Sequence, residues 1–263
     1  MKKSILITGA GSGIGKSCAF ALAGRGHYVI ATTETEEQSI ALRKEADQAG
    51  IKMVIFKLDL LQGSDRQKIE SYTPDVLINN AGVGESGSLA EIDLSKVRYN
   101  FDVNVFCPLE LSQRVLKKMM AQKRGTVLFV SSLAGKAIMP FLAPYCMSKA
   151  ALSAAAKALR AEVHLVEKNV YVSVIEPGAY HTGFNQKNIA KKYLWMNKTS
   201  PFYSLIGWLK QKEERQFRLI EMRSTAGIVR QIVKAAEAKS PRFRYSAPWW
   251  QTLGVYLLRI IGK

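Results

Sequence analysis

The stretch that most limits what this chain can fold into lies at its start. Lys2 to Ile7 is a short apolar run. It leads into Thr8-Gly9-Ala10-Gly11-Ser12-Gly13-Ile14-Gly15, and a helical run follows from Lys16 to Ala23. Strand, glycine turn and helix in that order give the glycines a purpose: they allow a tight turn and let the backbone approach a diphosphate at the positive end of the helix. A glycine-rich loop without that context would carry little weight.

A second stretch carries chemistry. Thr126 to Val130 is an apolar run that reads as a buried strand, and it ends at Ser131-Ser132. Tyr145-Cys146-Met147-Ser148-Lys149 lies on a helix predicted over Ala143 to Lys168, with Tyr145 and Lys149 four apart on one face. A neighbouring ammonium favours the phenolate and moves a tyrosine toward the range useful for acid–base work. A serine at the strand end can reach the next helix and donate to a substrate oxygen. Alone, a Tyr-x-x-x-Lys pair is more simply a solvated helix face.

Taken together, Thr8 to Gly15, Asn79-Asn80-Ala81-Gly82, Asn104, Ser132, Tyr145, Lys149, Pro177-Gly178 and Thr182 resemble the short-chain dehydrogenase/reductase family. Ser132 precedes Tyr145 by thirteen residues, as in that family. The resemblance covers about the first 185 residues. It implies a single α/β domain over residues 1–263, a Rossmann-like, doubly wound parallel sheet of about seven strands flanked by helices. It implies NAD(P)-dependent hydride transfer between a nicotinamide and a carbonyl or alcohol. Tyr145 would then be the proton donor and Ser132 would steady the reacting oxygen. Lys149 would bond the nicotinamide ribose and lower the tyrosine pKa, and Asn104 would bend its helix and hold a water near the lysine. The same resemblance places Gly9, Ser12, Gly13, Ile14 and Gly15 at the diphosphate and Asp59-Leu60 at the adenine. Asn80, Ala81 and Gly82 would line the cofactor site, and Pro177, Gly178 and Thr182 would border the nicotinamide. Thr33 would stand where an acid selects NAD. Its lack of a carboxylate leans toward NADP, whereas Glu34 and the absence of arginine at Ser12 argue for NAD.

The chain in order alternates predicted strands and helices: strands at Lys2–Thr8, His27–Thr32, Lys52–Lys57, Asp75–Ile78, Val170–Ile175 and Arg242–Ser246, with helices between them. Gly183 to Arg223 is expected to form a substrate lid. Its Phe184, Tyr193, Trp195, Phe202 and Trp208 suit a small hydrophobic carbonyl or alcohol, although packing onto the sheet would use the same residues. A sparse, odd count of three cysteines fits a reducing compartment. The first strand begins almost at Met1 and leaves no room for a cleaved leader, so a cytoplasmic setting is expected.

Charge sets one further expectation. From Gln186 to Lys263 there are sixteen Lys/Arg against four Asp/Glu, so +12 of the chain's net +17 falls in the last third. Such asymmetry points to an anionic partner, whether a membrane, nucleic acid or an acidic substrate, with a solvated basic surface as the plain alternative. No nucleic-acid motif supports DNA or RNA. Residues 246–263 form an apolar, basic segment too short to span a bilayer but suited to peripheral membrane contact. Packing of this segment over the sheet or against another subunit of a homo-oligomer is the plainer alternative. A nucleotide-sensing protein without catalysis is the competing function, and it would not need Tyr145.

Overall fold

The computed structural model describes residues 1–260; Ile261, Gly262 and Lys263, the end of the C-terminal segment, lie outside the described residues. Seven parallel strands form one sheet in the order β3-β2-β1-β4-β5-β6-β7. They are β1 (Ser4–Ile7), β2 (Tyr28–Thr33), β3 (Val54–Lys57), β4 (Val76–Asn79), β5 (Gly125–Val130), β6 (Val170–Pro177) and β7 (Arg244–Ala247). The helices are α1 (Gly13–Gly24), α2 (Glu36–Gln48), α3 (Gly63–Gln67), α4 (Leu94–Phe101), α5 (Cys107–Ala121), α6 (Ala143–Val166), α7 (Phe184–Ala190), α8 (Ile206–Ile220), α9 (Ala226–Glu237) and α10 (Trp249–Ile260). The order reverses between β1 and β4, and in open α/β sheets that switch opens a crevice at the carboxyl ends of the strands.

The strands are continuous apolar runs because both faces of a parallel sheet are covered. Alternation along β1 sends Ile5 and Ile7 to one core, with Cys18, Leu22, Ile228 and Ile232 of α1 and α9. Leu6 goes to the other core, with Leu111, Val115, Leu152 and Ala156 of α5 and α6. The pairing Ile7↔Ile78 and Val130↔Ile175 aligns the strand ends, so that Thr8, Asn80, Ser131, Ser132 and Pro177 emerge along one edge.

Three local features have physical causes. The run from Leu94 to Gln122 is divided by a π-helical turn at Asp102–Phe106, where the Asn104 side chain leaves the helix to bond the backbone of Val83. The stretch from residue 183 to 223 is not one helix. It comprises α7, two 3₁₀ turns and α8, pinned to the 84–92 loop by Ser86 Oγ donating to the Asn188 carbonyl and Ser200 Oγ donating to Glu91. The C-terminal segment forms α10, which meets β7 and the turn after Ser132 but has no fully buried residue. Gln251 and Tyr256 hydrogen-bond it to the body of the domain, while Trp249, Leu253, Leu257 and Ile260 are exposed.

Candidate active site

The glycine turn is held against the end of β4 by one hydroxyl. Thr8 Oγ1 accepts hydrogen bonds from the backbone N–H groups of Asn80 and Ala81, both at 3.0 Å. The Asn80 amide donates back to the carbonyls of Thr8 and Gly9 at 2.9 and 3.1 Å. The approach is so close that a Cβ on Gly15 would lie 2.2 Å from the Gly9 carbonyl oxygen and 2.4 Å from Asn80 Nδ2. Gly9 and Gly13 take left-handed backbone angles, φ +68° and +56°, which side chains resist. Ser12 caps α1 with an exposed hydroxyl that makes no capping bond, and the first turn of α1 carries no acid. Ile14 packs on the core below. A glycine cradle at the uncompensated positive end of a helix fits the diphosphate of a dinucleotide.

Ser132, Tyr145, Lys149 and Asn104 are brought together from β5, α6 and the π-helical turn. Ser132 sits beyond β5 and accepts from Ala134 N–H at 3.1 Å, which fixes its oxygen and leaves its proton to donate. The following turn is pressed onto α6: a Cβ on Gly135 would be 2.9 Å from the Ala150 nitrogen. Ser131 Oγ donates to the Lys149 carbonyl at 2.8 Å. Tyr145 pairs with the Ser132 hydroxyl, and its ring lies 5.7 Å from that of Phe184. Lys149 is buried and donates to the Val130 carbonyl at 2.9 Å. Asn104 Oδ1 accepts from Val83 N–H at 2.9 Å, while its amide donates to the Val83 carbonyl and to Ser148 Oγ. The asparagine therefore clamps the turn after β4 to α6. Gly82 lies between the two: a Cβ there would be 3.1 Å from Asn104 Oδ1 and 3.3 Å from Lys149 Nζ.

Burial dominates the electrostatics of the tyrosine and the lysine. Burial pushes the Tyr145 phenol up to about 12, against a smaller lowering by the Ser132 hydrogen bond. Burial also lowers the Lys149 ammonium to about 8. The Lys149 ammonium bonds the Val130 carbonyl, and its Nζ lies 5.9 Å from the centre of the Tyr145 ring. A phenol held neutral through physiological pH is suited to giving a proton to a carbonyl oxygen.

The remaining residues named from the sequence fall into two groups. Gly178 N–H donates to the Ala247 carbonyl, and Thr182 lies beside the glycine turn, its Cβ 3.3 Å from where a Gly13 side chain would begin. Pro177 is buried at the end of β6. These line the same crevice. Thr33 and Leu60 do not present side chains to it. Thr33 is fully buried, its hydroxyl 2.6 Å from Ser39 Oγ and donating to the Thr35 carbonyl. Leu60 belongs to the core on the α5–α6 side. Asp59 turns its carboxylate onto Leu61 N–H at 2.9 Å. The exposed acid at this rim is Glu34, and Lys16 is held by Glu45 at 2.9 Å.

Sequence reading missed several supports. Gln38 folds over the glycine turn, its Oε1 accepting from Glu34 N–H and lying 2.7 Å from where a Gly11 Cβ would be. Ser148 ties Asn104 to the Tyr145 carbonyl. Glu176, nearly inaccessible at 1%, pairs with Lys136 and Arg244 just beyond the serine turn. A lone carboxylate inside the run Val170 to Pro177 was the available signal, because a buried acid needs a partner.

Similarity to known proteins agrees with this geometry. The family model for short chain dehydrogenase matches residues 3–193. The chain is 32% identical over 212 residues to "Uncharacterized oxidoreductase YusZ" of Bacillus subtilis (strain 168), covering 78% of this chain and 71% of that protein. It is 34% identical over 194 residues to the "3-ketodihydrosphingosine reductase" of Bacteroides thetaiotaomicron, covering 71% of this chain and 68% of that protein. For another curated relative, the chain spans 59% of the length. A Burkholderia phymatum short chain dehydrogenase/reductase, solved in complex with NAD, superposes with a TM-score of 0.82 over 98% of this chain and 93% of its own, at 22% identity, and so shares the fold. The matched glycine turn, the Ser132–Tyr145–Lys149 cluster and the family model agree, and the chain belongs to the short-chain dehydrogenase/reductase family of NAD(P)-dependent oxidoreductases.

Proposed function

We propose that the protein transfers a hydride reversibly between a nicotinamide and the carbonyl or alcohol carbon of a small hydrophobic molecule. The observation that carries this is the Ser132–Tyr145 hydroxyl pair at the carboxyl edge of the sheet, with the Phe184 ring against Tyr145. The cofactor supplies the hydride chemistry. In reduction, Tyr145 gives its proton to the substrate oxygen as hydride reaches the carbon, and Ser132 donates to that oxygen while charge develops. Lys149, buried beside Gly82, is placed to bond the nicotinamide ribose, and Asn104 holds the turn that positions it.

Cofactor choice falls to Glu34. We infer a preference for NAD, supported by the exposed carboxylate at the end of β2 and by the engagement of Lys16 with Glu45, which leaves that cation in an ion pair. The Bacteroides relative, a 3-ketodihydrosphingosine reductase by name, supports reduction of a keto group, and the aromatic residues of the lid support an apolar substrate. Three free, buried cysteines support a reducing, cytoplasmic setting. Exposed Phe106, Leu165 and Val166 on α6 and the start of α5 support a homo-oligomer. The basic C-terminal third supports peripheral contact with an anionic membrane. A non-catalytic nucleotide sensor has no use for the Tyr145–Ser132 pair and is not favoured.

Turnover against a panel of ketones, aldehydes and alcohols tests the reading. Tyr145→Phe should lower kcat by about 10²-fold or more while cofactor affinity and fold are retained. Retention of most of the wild-type rate would remove Tyr145 from the chemistry.

A further inference from the structure

Helix α10 is built inside out for a helix resting on a globular core. Its inward face is fastened by polar groups. Gln251 Oε1 accepts from Ala179 N–H at 2.8 Å, its amide donates to the Ile220 carbonyl at 2.6 Å, and the Tyr256 hydroxyl accepts from Lys136 Nζ at 3.0 Å. Its outward face is apolar: Trp249, Leu253, Leu257 and Ile260 are 75%, 52%, 54% and 80% exposed. The spacing of four, four and three residues places them in one stripe.

The charge around this stripe selects its occupant. α10 carries no acid, and Arg259 is its one ionisable cation. The neighbouring α8 carries Lys210, Lys212, Arg215 and Arg218 against Glu213 and Glu214, and Glu213 is already taken by Lys192. A two-fold pairing of α10 with a second copy would bring Arg259 and the cations of α8 toward their own images, with no acid on α10 to offset them. Anionic headgroups offset it directly, and tryptophan at one end of the stripe suits the boundary between headgroups and acyl chains. Among the described residues no helix is long and apolar enough to cross a membrane, so a helix of this kind lies along the surface.

We propose that α10 is an interfacial membrane helix, seating its Trp249–Leu253–Leu257–Ile260 stripe in an anionic bilayer. Gln251 bonds the last residue of α8 and the residue after Gly178, so the seated helix holds both the lid and the nicotinamide turn beside the lipid. A substrate dissolved in the bilayer then reaches Tyr145 and Phe184 without passing through bulk water. This last consequence rests on the hydrophobic-substrate reading above; the seating of α10 does not.

The test is co-sedimentation of the protein with bound nicotinamide cofactor on phosphatidylserine/phosphatidylcholine vesicles and on phosphatidylcholine alone. Expected are binding to the anionic vesicles, weakening at high salt, and a blue shift of tryptophan fluorescence. Leu253→Glu with Leu257→Glu should lower vesicle affinity about ten-fold or more, and Arg259→Glu by about five-fold. Turnover of a water-soluble carbonyl and the thermal midpoint should be unchanged, because these side chains face solvent. The proposal is overturned if the intact protein ignores anionic vesicles at low salt. It is also overturned if the double variant keeps its vesicle affinity, or if it lowers the oligomeric mass without changing vesicle binding, since the stripe would then join copies of the chain. Absence of carbonyl turnover alongside normal vesicle binding would sink the enzymatic reading and leave the helix assignment standing.

Discussion

Lys149 Nζ lies 5.9 Å from the centre of the Tyr145 ring, one helical turn along α6, and its hydrogen bond goes to the Val130 carbonyl at the end of β5. The lysine thus ties α6 to the central sheet and carries a charge into a buried place. Burial sets the protonation of both groups, holding the phenol as an acid and making the ammonium easier to deprotonate.

That burial predicts a pH-dependent stability. The Lys149 pKa falls from 10.5 to about 8 on folding, a cost of ~3 kcal/mol below pH 8 at about 1.36 kcal/mol per unit. Between about pH 8 and 10.5 the unfolded chain holds the extra proton, so this cost fades as pH rises. Lys149→Met should therefore be more stable than wild type at pH 7, by ~2 kcal/mol once the lost hydrogen bond to Val130 is counted, and should lose that advantage by pH 10.5. Urea unfolding at both pH values checks this. A variant less stable than wild type at pH 7 would mean that the lysine is stabilising despite its burial. Cofactor affinity of the variant should fall.

The rim of the glycine turn predicts a cofactor switch. Glu34 is exposed at the end of β2, and Gln38 bonds its backbone N–H. Wild type should bind NAD more tightly than NADP. Glu34→Arg should shift the ratio toward NADP by about ten-fold or more, because a guanidinium pairs with a 2′-phosphate. Titration of both cofactors by fluorescence decides it, and an unchanged ratio would show that the ribose is read elsewhere.

The Glu176 cluster predicts a loss of stability without a change of fold. Its carboxylate joins Lys136, beyond the serine turn, to Arg244 on β7. Glu176→Ala would leave the nearly buried Lys136 without its carboxylate and should cost about 3 kcal/mol, read from the midpoint of urea unfolding. Glu176→Gln should recover part of this by keeping hydrogen-bond acceptance. A loss below about 0.5 kcal/mol for alanine would mean that water replaces the carboxylate.

The alternating strand and helix pattern and the glycine turn were legible in the sequence because both are local. Apolar runs flanked by turns give parallel strands, and left-handed angles at Gly9 and Gly13 are a backbone requirement that names its own residue. Helical spacing puts Tyr145 and Lys149 on one face, but only their joint resemblance, with Ser132 and the glycine turn, to a known family pointed to chemistry. The π-helical turn at Asn104 was foreseen only as a bend, because its cause is a partner, Val83, that lies 21 residues earlier.

By itself, then, the sequence determined which elements form and which side chains could do chemistry, since periodicity and backbone angles are properties of neighbours along the chain. The tertiary structure decided where those side chains point and what they face. It turned Thr33 inward to Ser39, spent Lys16 on Glu45 and left Glu34 at the rim. It raised the Tyr145 phenol by burying it. It also chose the face of α10, whose stripe is visible in the sequence. The choice was made by Gln251 reaching Ala179, 72 residues away, and by Tyr256 meeting Lys136, 120 residues away. Partners so distant along the chain leave no periodic trace, because only the closed sheet brings them within hydrogen-bond distance.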